Sequence, residues 1–193
     1  GMFMNPIIQS LFDRKSCRIF EDKEISQEER KLILEACMQA PSAGNQQMYT
    51  IIDVQDQKLQ ETLSKTCDNQ PFINQAKMVL IFCADFQKWY DLFNHENCNP
   101  RKPGVGDLLL ATTDATIAAQ NAVVAAESLG IGSCYIGDIL EQHDLHKELL
   151  NLFGDIRTIY EAIFVATIDG CQSEISIFDG DIISIQGNIE DFL

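Results

Sequence analysis

Arg14, Ser16 and Arg18 alternate in the polar segment Arg14-Lys15-Ser16-Cys17-Arg18. On an extended backbone alternate residues point to one side, so this segment offers an anion two guanidinium forks and a hydroxyl. Charge-assisted hydrogen bonds of that kind contribute about 1.5–3 kcal/mol each. Two arginines in an acidic chain are more often ordinary surface charge, and the segment gains meaning only beside a second one. That second segment is Pro41-Ser42-Ala43-Gly44-Asn45-Gln46-Gln47. Its small residues let backbone approach a planar ring while its amides bond a polar edge, although a capping turn has the same composition. The two segments bracket one helix and together read as parts of a site for a phosphate-bearing ligand.

Other constellations carry less. The run Gly130-Ile131-Gly132-Ser133-Cys134-Tyr135-Ile136-Gly137 has the wrong glycine spacing for a dinucleotide fingerprint and follows a helix, where the fingerprint follows a strand. Gly132-Ser133-Cys134 lacks the flanking glycines of a nucleophile elbow. His95 and Cys98 are spaced like metal ligands but have no second pair, and His143 with His146 reads as a surface pair on a helix. No metal site is expected. The seven cysteines are scattered with no Cys-x-x-Cys pair, the pattern of buried reduced thiols.

The elements that must position these residues come from a chain of 193 residues with 46% hydrophobic content, suited to one domain spanning 1–193 with a single core. A net charge of -15 disfavours nucleic acid and anionic membrane as partners and makes each basic residue worth locating. Nothing after Gly1 has the pattern of a secretory signal, so a cytoplasmic location is expected.

Asn5-Pro6 opens a short helix that ends near Asp13. Ser26 and Glu29 have capping-box spacing ahead of a helix over about 27–39, stopped by Pro41. Tyr49–Val54 reads as a strand, Gln57–Cys67 as a helix, and Met78–Ala84 as a central strand, too continuously apolar for a wet surface. Asn94–Gly106 reads as a loop, either a lid or a surface excursion. Leu108–Leu129 predicts a helix buried around most of its circumference, and its interrupting Asp114, Gln120, Asn121 and Glu127 argue against a membrane span. Ser133–Ile136 and Ile159–Ile168 read as strands with a helix over Glu141–Phe153 between them. The tail over 170–193 reads as a hairpin or arm around Asp179-Gly180.

Several stretches taken in order resemble the FMN-dependent nitroreductase family, and most of all its NADPH-linked flavin reductase branch. They are Arg14-Lys15-Ser16-Cys17-Arg18-Ile19-Phe20, Ala40-Pro41-Ser42-Ala43-Gly44-Asn45, Asn69-Gln70-Pro71-Phe72, Ala119-Gln120-Asn121, Glu127-Ser128-Leu129-Gly130-Ile131-Gly132 and Tyr135-Ile136-Gly137. The resemblance implies an α+β fold, with a mixed, mainly antiparallel sheet flanked by helices. It also implies an intertwined homodimer, with long central helices packed together and FMN at the subunit interface.

By the same resemblance Arg14 and Ser16 would hold the phosphate and ribityl end, with Lys15 beside them as a further phosphate candidate, and Arg18 could reach either the phosphate or the pyrimidine edge. Ser42, Ala43 and Asn45 would come from the partner subunit, with Pro41 and Gln47 as further cofactor-binding candidates in that segment. Gln70 or Asn69 would bond the pyrimidine, and the backbone of Tyr135, Ile136 and Gly137 would pass beside N5. The implied activity is ping-pong hydride transfer from NADPH or NADH, through flavin N5, to a small-molecule acceptor such as a nitroaromatic, quinone or flavin. The cofactor carries that chemistry, so no catalytic side chain is named. Family members carry a Lys-x-Arg near the C-terminus that reaches the phosphate. Residues 170–193 contain no Lys or Arg, which shifts that work onto the Arg14 segment. The same departure motivates an alternative, a flavin-binding or structural dimer without efficient turnover.

Overall fold

The computed structural model describes residues 4–152 and, as backbone, 157–167. The expected tail hairpin lies outside the described residues. Eleven elements follow in order: α1 (Pro6–Asp13), α2 (Gln27–Met38), β1 (Tyr49–Asp53), α3 (Gln57–Thr66), α4 (Phe72–Gln75), β2 (Met78–Asp85), α5 (Gln87–His95), α6 (Val105–Ser128), β3 (Ile131–Ile136), α7 (His143–Leu149) and β4 (Arg157–Thr167).

The four strands pair antiparallel in the order β1-β2-β4-β3. β2 lies inside the sheet and is buried along its whole length, which explains why its sequence does not alternate. Its residues divide by parity between two cores. Met78, Leu80 and Phe82 join Ile33 and Cys37 of α2 and the alanine row of α6 on one face. Val79, Ile81 and Cys83 join Leu63 of α3, Ile73 of α4 and Ile139 on the other. The sheet is thus sandwiched between helices, as an α+β fold requires.

Local signals set the helix ends. Ser26 Oγ accepts from Glu29 N at 3.2 Å while Glu29 Oε2 accepts from Ser26 N at 2.8 Å, so the capping box forms and α2 begins there. Asn121 of α6 donates through Nδ2 to Ala36 O at 2.9 Å, satisfying a carbonyl in the last turn of α2.

α6 starts three residues earlier than expected. Asp107 Oδ2 accepts from Gly104 N at 2.8 Å and forks onto Arg101 through bonds of 2.6 and 2.7 Å. The stretch expected as a loop over 94–106 is therefore shorter: α5 takes its first residues, and its end is tied to α6. Among the described residues α6 is the one helix long and apolar enough to cross a membrane. Ala111, Ala115, Ala118, Ala119, Ala122 and Ala126 are buried against the sheet and α2, the position of a core helix. Burial follows this stripe and does not reach around most of the circumference as expected, because Val105, Leu109, Leu110 and Gln120 are exposed in the single chain.

α7, over His143–Leu149, is shorter than the helix expected over Glu141–Phe153, and a separate 3-10 turn over Gly137–Leu140 precedes it. Cys17, Cys37, Cys67, Cys83 and Cys134 are buried and Cys98 is exposed. Burial pushes the Cys37 and Cys67 thiols up to about 12, which keeps them protonated and inert.

Candidate functional site

The Arg14–Arg18 segment leaves α1 in extended form and joins the outer edge of β3. Ser16 makes an isolated parallel bridge with Ser133, and Cys17 N donates to Ser133 O at 2.9 Å. Cys17 is buried, which turns Ser16 and Arg18 outward on the alternate positions of an extended chain. With the described residues, Arg30, Lys77 and Arg101 form salt bridges, and Arg14, Lys15 and Arg18 form none.

Their charges are felt by the groups beneath them. Burial pushes the Cys134 thiol up, and Arg18, the Ser16 hydroxyl and Arg14 oppose it. Burial likewise raises the Glu127 carboxyl at the end of α6, with Arg14 and Lys15 pulling it back. A cluster of cations at a sheet edge with no salt bridge to any described residue, in a chain of net charge -15, is a candidate site for an anion.

Beyond Cys134 the strand continues through Tyr135 and Ile136 to Gly137. The Tyr135 hydroxyl donates to Gln120 Oε1 at 3.2 Å. Gln70 is drawn to the same end of β3, because its Nε2 donates to Cys67 O at 3.0 Å and to Asp138 Oδ2 at 2.9 Å. Asn69 beside it is exposed and takes a left-handed φ of 49°. The structure thus gathers Arg14, Lys15, Ser16, Arg18, Gln70, Tyr135, Ile136 and Gly137 along one edge.

It does not bring the second segment there. Residues 42–47 lead into β1, and β1 and β3 are opposite edges of the sheet. Three strand spacings of about 4.8 Å separate them by roughly 14 Å. The two segments therefore do not converge within one chain, which corrects the simplest reading of their proximity in sequence.

The second segment is instead a tightly held loop. Gly44, Asn45 and Gln47 have φ of 57°, 54° and 45°, a region that costs free energy for residues with a Cβ. Three groups from other elements fix it. Asp114, buried in the middle of α6, accepts from Ala43 N at 2.9 Å and from Met48 N at 3.2 Å. From α5, Lys88 Nζ donates to Gln47 O and, at 2.9 Å, to Tyr49 O. Trp89 Nε1 donates to Gln46 O at 2.9 Å. Inside the loop, Ser42 Oγ accepts from Gln47 N at 3.1 Å and Asn45 Oδ1 accepts from Gln47 Nε2 at 2.6 Å. Pro41 is exposed at its entrance.

Sequence reasoning missed Asp114, Lys88 and Trp89 as loop holders, and Asp138 beside Gln70. The one available signal was a carboxylate, Asp114, inside an apolar helix. His146 is a correction. Expected at the surface, it is fully buried, with Nδ1 2.6 Å from Ile139 O and Nε2 2.7 Å from Thr66 Oγ1. A carbonyl only accepts, so Nδ1 carries a proton. Together with Gln142 Nε2, which donates to Thr66 O at 2.7 Å, His146 stitches the end of α3 to the turn that bears Asp138. Among the described residues no group of three or more His, Cys, Asp or Glu is placed to hold a metal.

The chain belongs to the nitroreductase family, whose model matches residues 11–160. It is 39% identical over 155 residues to an FMN reductase [NAD(P)H] of Bacillus subtilis, covering 77% of this chain and 61% of that protein. It is 34% identical over 150 residues to an oxygen-insensitive NADPH nitroreductase of Salmonella typhimurium, covering 77% and 60%. The chain thus spans less than two thirds of the length of these curated relatives. The solved NADPH:FMN oxidoreductase of Vibrio harveyi, complexed with NAD+, superposes with a TM-score of 0.83 at 25% identity, covering 97% of this chain and 82% of that one.

Proposed function

We propose that this chain is an FMN-dependent NAD(P)H oxidoreductase, a single flavin-binding domain over 1–193. Its reductant is NADPH or NADH, and its acceptor is a small electron-poor molecule such as a nitroaromatic, a quinone or a free flavin. The observation that carries the reading is the cluster of Arg14, Lys15 and Arg18 around Ser16, without a salt bridge to any described residue, at the edge of β3. The activities for which the relatives are named support it.

The residues fit the group. Arg14, Lys15, Ser16 and Arg18 supply the charge and donors that a phosphate requires, and Gln70 supplies an amide for the pyrimidine edge. The backbone of Tyr135, Ile136 and Gly137 lies beside both. When bound, FMN supplies a ring atom, N5, that accepts and returns hydride. The chain orients the ring, sets the local field and leaves one face open to both substrates in turn, so turnover follows ping-pong kinetics.

The loop of Pro41, Ser42, Ala43, Asn45 and Gln47 faces a second copy of the chain in a homodimer and completes that copy's site. The roughly 14 Å across the sheet supports this, since the loop does not reach the cationic edge of its own chain. A cytoplasmic location, with no membrane and no nucleic acid as partner, is part of the reading. The test is to incubate the protein with FMN, desalt it and record the flavin absorbance band. NADH and NADPH oxidation with menadione or a nitrofuran as acceptor is then measured. Retained flavin with turnover supports the reading, retained flavin without turnover leaves a flavin-binding module, and no retained flavin removes it.

A further inference from the structure

The side-chain amide of Gln70 is placed so that only one orientation satisfies its neighbours. Cys67 O, at 3.0 Å, and Asp138 Oδ2, at 2.9 Å, both lie at the nitrogen end, and carbonyl and carboxylate oxygens accept hydrogen bonds. Reversing the amide would set its oxygen against two oxygens, so chemistry alone decides the assignment. Both Nε2 protons are consumed inside the chain, leaving Oε1 as the group Gln70 presents to a ligand.

The arrangement is held from behind. Asp138 lies in the 3-10 turn over Gly137–Leu140, and that turn is tied to the end of α3 by His146, buried between Ile139 O and Thr66 Oγ1. Gln142 adds a third tie to Thr66 O at 2.7 Å. Residues 66–70 and 137–146 thus form one stitched unit with Gln70 at its outer edge.

We infer that Asp138 is a positioning residue that fixes Gln70 as a hydrogen-bond acceptor, and so makes the site selective for a ring whose facing edge carries an imide N–H. This rests on the flavin reading above. On the isoalloxazine pyrimidine the matching group is N3–H, which lies between two carbonyls that a reversed Gln70 would prefer. Without Asp138 the amide is held by Cys67 O alone, and a less restrained amide turns more readily to donate or accept as the ligand requires.

The test compares binding of FMN and of FMN methylated at N3, by quenching of flavin fluorescence, in four proteins. The wild type binds FMN about tenfold more tightly than the methylated analogue, the worth of one hydrogen bond. Gln70→Leu, which has no acceptor, defines the part of that ratio due to the bulk of the methyl group. Asp138→Asn can still offer an oxygen to Nε2 and keeps the wild-type ratio. Asp138→Ala leaves only Cys67 O to hold the amide, and its ratio falls to a value between wild type and Gln70→Leu.

Three results overturn the inference: a wild-type ratio no larger than that of Gln70→Leu, an Asp138→Ala ratio equal to wild type, or an Asp138→Asn ratio as low as that of Asp138→Ala. The last would show that the carboxylate acts through its charge. Failure of wild-type protein to bind FMN at all is a separate result, which removes the flavin reading and this inference with it. The ratio within one variant is insensitive to general loss of stability, so a purely structural role for Asp138 would leave it unmoved.

Discussion

Replacing Asp114 with alanine should release the loop over 42–48 while leaving the sheet intact. The carboxylate is 2% exposed and accepts from two backbone donors, Ala43 N and Met48 N. Met48 is itself 1% exposed, so its N–H has no water to turn to. Stranding a buried donor costs about 1–3 kcal/mol, and relief from burying a carboxylate offsets part of the loss of two. The expected net destabilisation is about 2–4 kcal/mol, a figure drawn from those same costs. Asp114→Asn should lie close to it, because one end of the amide would meet an N–H with another N–H.

The chain contains one tryptophan, Trp89, and its indole donates to Gln46 O within this loop at 2.9 Å. Its emission therefore reports the loop directly. In Asp114→Ala it should shift to the red without denaturant, while far-UV circular dichroism stays native. Urea unfolding should then show the lowered midpoint. A variant with unshifted Trp89 emission and stability within about 0.5 kcal/mol of wild type, the range of an ordinary surface substitution, would refute the reasoning.

Two other expectations follow from the geometry. Arg14→Ala should weaken FMN retention more than Lys15→Ala, because Arg14 is the half-buried member of the pair and offers a planar fork; equal losses on flavin titration would refute a directed contact. The Arg101 hydrogen bonds hold the Asp107 carboxyl below the ordinary carboxylate range, with the Gly104 N–H adding to the effect. Since this folded-state pKa is depressed, the stabilisation is complete above the unfolded value of about 3.9 and is lost as pH falls through the lower folded value. Acid unfolding of Arg101→Ala should therefore show a shallower pH dependence below about pH 4 than wild type, and parallel curves would argue against it.

Where burial imposed a pattern, the sequence was readable. Met78–Ala84 shows a continuous apolar run because both its faces are covered, and the capping box at Ser26 marks the start of α2 to the residue. The alternation of Arg14, Ser16 and Arg18 was legible for the same reason, since Cys17 between them turns inward. Contacts that join distant positions left no periodic trace. The Gln70–Asp138 bond spans 68 residues, and nothing near either residue announces it. His146 sits among Asp144, Lys147 and Glu148, which look like a solvated face, and its burial depends on where Thr66 lies. The outer face of α6 was misjudged because composition records how apolar a helix is without recording what covers it; Leu109 and Leu110 remain exposed in the single chain.

The left-handed residues Gly44, Asn45 and Gln47 have a thermodynamic consequence for whatever meets the loop. A flexible segment that stiffens on contact gives up conformational entropy at that moment, and affinity falls accordingly. Here that entropy is surrendered during folding, when Asp114 takes the amide ends of the loop and Lys88 and Trp89 take its carbonyl ends. A ligand arriving at this surface meets a mould already set, so its affinity should depend on shape and polarity and very little on ordering the chain.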